Sequence, residues 1–290
     1  GGGMYLAFVE GGLSHVQVER NSAIAGGGLY LDYSDVTLSQ CRIAENSANG
    51  SSWYDDGGGI YAWYSNPVLY HTVIENNTAT GDGGGVYLES SYPMLTCCVV
   101  EGNTAREGGG VFASNSGPIF TQTALLANAA TTFGGGLLIS TGSAPYAMNS
   151  IFAYNTGENV YLPSNADGVL YEFDACSLYN PSGLTNHNLT GVDDTNLVDE
   201  PGFLAYDAVG LPVDLHLATS SPLVDAGDPL VHDPDGSRAD IGIFGGPLGD
   251  EWDRDLDGVP DYFWPGTLED APEGVDASEY DADDTDASVQ

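Results

Sequence analysis

Apolar residues recur along the first two thirds of the chain at fixed offsets from an Asn. Three residues before it stand Val18, Ile43, Ile74, Val100, Leu125 and Phe152. Eight before it stand Leu13, Leu38, Leu69, Leu95, Phe120 and Ala147, and five before it a mostly small residue, Val16, Cys41, Thr72, Cys98, Thr123 or Ser150. The Asn residues are Asn21, Asn46, Asn77, Asn103, Asn128 and Asn155, with Asn180 next in register. A Gly-Gly-Gly step begins at Gly1, Gly26, Gly57, Gly83, Gly108 and Gly134, at spacings of 25, 31, 26, 25 and 26 residues. Each step leads into an alternating trio such as Leu29-Tyr30-Leu31, Ile60-Tyr61-Ala62 or Val86-Tyr87-Leu88. Alternation with period two predicts short strands that bury one face. No window carries a helical period.

Six aligned columns describe a repeat of about 26 residues, whose coils cannot bury their apolar side alone and must stack. Stacking about 4.8 Å apart brings equivalent side chains into one column and pairs each backbone group with the coil above or below. The glycines permit backbone conformations and approaches that a Cβ forbids. The Asn residues (Asn21, Asn46, Asn77, Asn103, Asn128, Asn155) are expected to point inward and bond along their own file, since buried amides need partners. The long spacing contains Asn49-Gly50-Ser51-Ser52-Trp53-Tyr54-Asp55, which reads as an inserted loop. The predicted fold is an all-β parallel β-helix solenoid of about seven coils over residues 1–185.

An apolar residue, two variable ones, Asn and then Gly-Gly-Gly-aliphatic resembles the repeats of chlamydial polymorphic outer-membrane proteins. More widely it is similar to the parallel β-helix proteins of the pectin-lyase-like superfamily, and that resemblance implies a right-handed helix. Past Asn180 the period fails. Residues 186–248, with Asp225-Ala226-Gly227-Asp228 and Asp233-Pro234-Asp235-Gly236-Ser237-Arg238, resemble the C-terminal segment that closes many secreted bacterial β-helices. Arg238 is expected to form ion pairs with its acidic neighbours. An Asp-rich calcium-binding motif is expected over 249–266, and a disordered acidic tail over 267–290.

Charge narrows the function. Forty-two acidic residues face five arginines and no lysine, a net −37. A nucleic-acid or anionic-membrane partner would need a basic face, so neither is expected, and no segment resembles a membrane-spanning helix. Opening on a repeat step rather than on Met, the chain reads as a fragment or processed product. The cysteines are too few for a disulfide scaffold, and Cys41 and Cys98 lie two coils apart, beyond bridging reach. They are expected as buried thiols, with Cys176 in the same column and Cys97 facing the other way.

Asp253, Asp255, Asp257 and Asp261, with the carbonyl of Val259 and a Gly at the sixth position, suit a tight Ca²⁺ loop. Trp264 stands where a complete EF-hand loop has Glu, and the run is more similar to a thrombospondin type 3 calcium repeat. Polyuronate lyases of the resembled superfamily need a basic residue and cations for the substrate, whereas Arg20, Arg42 and Arg106 fall at unrelated repeat positions. Glu75 and Glu101, in one column with Glu19, could share a proton or a cation, or form an outward acidic row. His15 and His71 share a turn column two coils apart. Tyr5, Tyr30, Tyr61, Tyr87, Phe112 and Tyr161 form an outward aromatic stripe, broken at Leu138, that either binds a ligand or braces the sheet. These readings favour an extracellular or bacterial cell-surface, monomeric, non-catalytic module of structural or adhesive type, with calcium as a structural ion and a polysaccharide or cell-surface protein as partner. A polysaccharide lyase, glycoside hydrolase or polysaccharide-binding module is the alternative.

Overall fold

The computed structural model describes residues 1–50, 56–163, 171–182, 186–187, 195–205 and 214–249. Short strands wind into a parallel solenoid of six complete coils, with Val160–Tyr161 and Glu172–Asp174 added by a seventh. Each full coil has four sides, and each side stacks into its own sheet. The first sheet begins with Met4–Ala7, Leu29–Asp32, Ile60–Trp63 and Val86–Glu89, and the second with Glu10–Ser14, Asp35–Ser39 and Val68–Tyr70. The third runs from Gln17–Glu19 through Arg42–Ala44, Val73–Glu75, Val99–Glu101 and Ala124–Leu126 to Ile151–Ala153. The fourth begins with Ser22–Ala23 and Ser47–Ala48. Pairing is parallel and in register, with Leu29 opposite Ile60 and Ile43 opposite Ile74.

The four-sided section follows from the corners. At the first corner Phe8, Tyr33, Tyr64, Ser90 and Asn115 take φ of 46 to 55°. The second corner uses His15, Gln40, His71, Cys97, Gln122, Asn149 and Ala175, and the third Arg20, Glu45, Asn76, Gly102, Ala127 and Tyr154, all with positive φ. One left-handed residue turns the chain without a loop, at a conformational cost for any residue with a Cβ. The fourth corner is the first glycine of each Gly-Gly-Gly step, φ 59 to 69°. The second glycine is required for a different reason: a Cβ on Gly84 would lie 2.4 Å from the carbonyl oxygen of Gly109 in the next coil.

Behind three corners runs a side-chain ladder. The Asn file holds as expected from Asn21 to Asn155. Asn77 Oδ1 accepts from the main-chain N–H (2.9 Å) and Nδ2 (3.0 Å) of Asn46, while its own Nδ2 donates to Ile43 O and Asn103 Oδ1. Asn180 does not continue it: Asn155 Nδ2 donates to Asn159 Oδ1, and Asn180 instead donates to the carbonyls of Asn155 and Gly157. The Cys/Thr/Ser column makes a second ladder, in which Thr123 N donates to Ser150 Oγ at 3.1 Å. A third, absent from the sequence reading, is Ser34, Ser65, Ser91, Ser116 and Ser143, each hydroxyl accepting the main-chain N–H of the preceding rung at 2.9 to 3.2 Å. Between the ladders the inward columns, from Leu29, Leu38 and Ile43 to Phe120 and Phe152, form one continuous core. Burying each large aliphatic contributes about 1.5–3 kcal/mol. All four cysteines are buried thiols outside any disulfide, and Cys176 lies in the column of Ser150, since Ser177 pairs with Ile151.

Residues 214–249 lie along the flank of the stack. Leu215, Leu223, Ile241 and Ile243 pack on the outward side chains Val73, Val99, Ala124, Leu126, Ile151 and Ala153 of the third sheet. This strap also covers the second corner. Asn149 accepts from Asp228 N through Oδ1 and from Gly242 N through its carbonyl, and His71 Nε2 lies 3.3 Å from Leu248 O. Cys97 does face away from the Cys98 ladder, but the strap seals it from solvent.

Candidate functional site

On the outward face of the third sheet, register sets Glu75 directly beside Glu101. The two do not form an exposed acidic row: they are 5% and 3% exposed. Arg42, one coil back, spans Glu19 and Glu75, its Nε 2.5 Å from Glu75 Oε1. Glu101 has no hydrogen-bond donor among the described residues. Burial, and after it the charge of Glu75, holds its carboxyl well above the usual carboxylate range. Glu75 is raised as well, because burial outweighs the pull of Arg42. The pair therefore favours holding a proton, in a position closed to solvent.

The other arginines are engaged too. Arg20 pairs with Glu45 at 2.9 Å and Arg106 with Asp82 at 2.8 Å. Arg238, expected among carboxylates, donates instead to the main-chain carbonyls of Gly227 and Ala226. Among the described residues no group of three or more His, Cys, Asp or Glu could hold a metal ion. The calcium candidates Asp253, Asp255, Asp257, Val259 and Asp261 lie outside the described residues. His15 and His71 are separate corner residues, not a joint site, and His71 serves the strap. A cavity of about 260 Å³ opens within the strap, lined by Leu215, His216, Asp240, Ile241 and Phe244, with the His216 ring stacked 3.7 Å from that of Phe244.

The aromatic stripe of the first sheet is assembled as predicted from Tyr5 to Phe112. Successive ring centroids are 5.3, 4.7, 4.9 and 5.2 Å apart, the last three pairs nearly parallel. Its openness is uneven. Tyr5 is exposed, Tyr30, Tyr61 and Tyr87 are half-buried, and Phe112 and Leu138 are buried. Past this break Tyr161 stacks on Phe133, from the fourth sheet, at 4.5 Å. Rings in such a pile cover much of one another's faces, which suits bracing.

A second aromatic file stands at the first corner, where Phe8, Tyr33 and Tyr64 are stacked at 5.5 and 5.0 Å. Trp63 meets both tyrosines edge-on at 5.4 Å. The file was legible as an aromatic three residues after Tyr5, Tyr30 and Tyr61, in Tyr-Leu-Ala-Phe, Tyr-Leu-Asp-Tyr and Tyr-Ala-Trp-Tyr. Its position just past the alternating trio, where the strand ends, gives no sign that the rings stack.

Among the described residues no helix is long and apolar enough to cross a membrane. No curated protein matches the chain. Among solved structures it is similar to the crystal structure of the pectate lyase Pel9A, at 13% identity and a TM-score of 0.48, over 80% of this chain and 70% of that one. The family model described as the right-handed β-helix region matches residues 11–195, the span that carries the Asn file, the glycine steps from Gly26 onward and most of the stacked strands. The chain belongs to the right-handed β-helix family.

Proposed function

We propose that the chain is a non-catalytic β-helix module of structural and adhesive type, presented outside the cell or on a bacterial cell surface. The observation that carries this reading is the commitment of its cations. Every arginine among the described residues is held by carboxylates or main-chain carbonyls of its own chain. A polyanionic substrate would have to compete for guanidinium groups already engaged, against a chain of net charge −37. The test is incubation of the full chain with polygalacturonate, alginate and xylan, reading ultraviolet absorbance from unsaturated uronides and release of reducing ends. No product is expected; cleavage of any of the three overturns the reading.

One observation favours a carbohydrate-active enzyme instead: Glu75 and Glu101 sit side by side, and burial raises the affinity of both for a proton, as a general acid requires. That reading predicts glycan cleavage abolished by Glu101→Gln.

A further inference from the structure

The first corner is costly as built. Phe8, Tyr33 and Tyr64 adopt φ of 55, 47 and 46°, a region bulky side chains occupy only at a conformational cost. The same corner is made by Ser90 and Asn115 in the next two coils, so the turn itself does not ask for aromatics. Nor does the core, since Phe8 is 78% exposed and Tyr33 and Tyr64 are each 47% exposed. Their near-parallel rings, 5.5 and 5.0 Å apart, exceed the roughly 3.5–4 Å of direct carbon contact. At these exposures a substantial part of each side chain stays open to solvent although the rings are stacked.

Polar groups run beside the rings. Asn66 donates through its main-chain N–H (2.7 Å) and Nδ2 (3.1 Å) to Asp35 Oδ1, and accepts the main-chain N–H of Tyr92 at 2.9 Å. Asp35, Asn66 and Tyr92 are all exposed. Asp32 and Glu89 flank the other side in the register of Trp63, and this corner carries no arginine in any of the described coils.

We propose that the ridge of Phe8, Tyr33 and Tyr64, backed by Trp63, binds a neutral polysaccharide chain lying along the solenoid axis. Three features select that ligand. Exposed aromatic rings beside carboxylate and amide groups match the apolar C–H patches and hydroxyls of a sugar. The ring spacing is close to the length one pyranose unit adds to an extended glycan, so successive sugars meet successive coils. The acidic flanks oppose a polyuronate or any other polyanion. This assignment deepens the adhesive reading and fails separately from it.

The test uses the full chain in native affinity gels containing hydroxyethylcellulose, galactomannan or polygalacturonate. The paired variant Tyr33→Ser/Tyr64→Ser adopts the residue found at this corner in Ser90, and thermal melts by circular dichroism check that it folds. Tyr61→Ser, in the first-sheet stripe, is the comparison. Retardation by at least one neutral glycan is expected, weakened about tenfold or more in the paired variant and largely kept in Tyr61→Ser. No retardation by either neutral glycan, stronger retardation by polygalacturonate, or undiminished binding in the paired variant overturns the ridge. So does a wild-type dimer in sedimentation that the paired variant abolishes, which would assign the rings to a second copy of the chain. Glycan cleavage by the wild type would overturn the non-catalytic reading and leave the ridge intact, whereas absence of both binding and cleavage would remove the ridge alone.

Discussion

Replacing Asn77 by Ala tests the central physical claim, that the Asn file holds the coils together. Asn77 is fully buried and takes part in four side-chain bonds, two accepted from Asn46 and one each donated to Ile43 O and Asn103 Oδ1. Alanine removes all four and leaves the Asn46 main-chain N–H, the Asn46 amide and the Ile43 carbonyl without those partners in a dry interior. At about 1 kcal/mol net per bond, the expected loss is about 4 kcal/mol. Asn21, in the first coil, is the internal control. It is half-exposed, and its side chain donates only to Glu19 O and Asn46 Oδ1, which keeps its bond from the Asn21 main chain. Asn21→Ala is therefore expected to cost about 1 kcal/mol. Urea unfolding followed by circular dichroism, with m-values compared to verify a common transition, reads both. If Asn77→Ala costs less than about 1 kcal/mol, or no more than Asn21→Ala, the ladder is ornament and the coils are held by apolar packing alone.

Gly84→Ala is expected to prevent folding or to cost more than about 3 kcal/mol, because main-chain oxygens of Gly109 and Thr104 stand 2.4 and 2.6 Å from the new Cβ. Gly12→Ala, whose nearest neighbour would be 3.8 Å away, should be close to neutral, and the same urea melts separate the two. Glu101→Gln is expected to stabilise the protein at neutral pH by about 1–3 kcal/mol, the usual cost of a buried group left unpaired. Since the folded state raises the Glu101 pKa, its favourable share is complete below the ordinary carboxylate pKa and is lost as pH climbs through the raised value. The variant's advantage should therefore vanish in melts at acid pH; an advantage independent of pH would refute that account. Titration calorimetry is expected to record Ca²⁺ uptake that Asp255→Ala removes, and a flat wild-type titration would dispose of the calcium loop.

The solenoid was legible because its constraints repeat. A main-chain oxygen 2.4 Å from a would-be Cβ admits only glycine, and a ladder rung needs both an acceptor and a donor, so residue identity survives from coil to coil. The serine ladder obeys the same logic, with Ser34, Ser65, Ser91 and Ser116 each eight residues after the first glycine of a step, yet serine before a turn reads as loop. The fate of outward positions was not legible. Glu75, Glu101 and Cys97 repeat like surface residues, and their burial is a tertiary outcome that the repeat pattern does not encode. His71 meets Leu248 across 177 residues, and no local pattern announces a contact at that distance. The corner aromatics were visible as letters, but their exposure depends on the turn each makes.

The strap has a mechanical consequence. It grips the second corner from His71 to Asn149, so among the described residues it acts as a batten nailed across the third to sixth rings of a stack. Rings under the batten can part only if it is first prised away, whereas the two beyond it are joined to their neighbours by the stacked sheets, the side-chain ladders and the ion pairs of Arg20 and Arg42. Tension along the axis, or slow thermal opening, should therefore separate the first two described rings sooner than the four under the strap. Because Phe8 and Tyr33 stand on those first two rings, a load carried through a bound glycan would enter the molecule where it yields soonest.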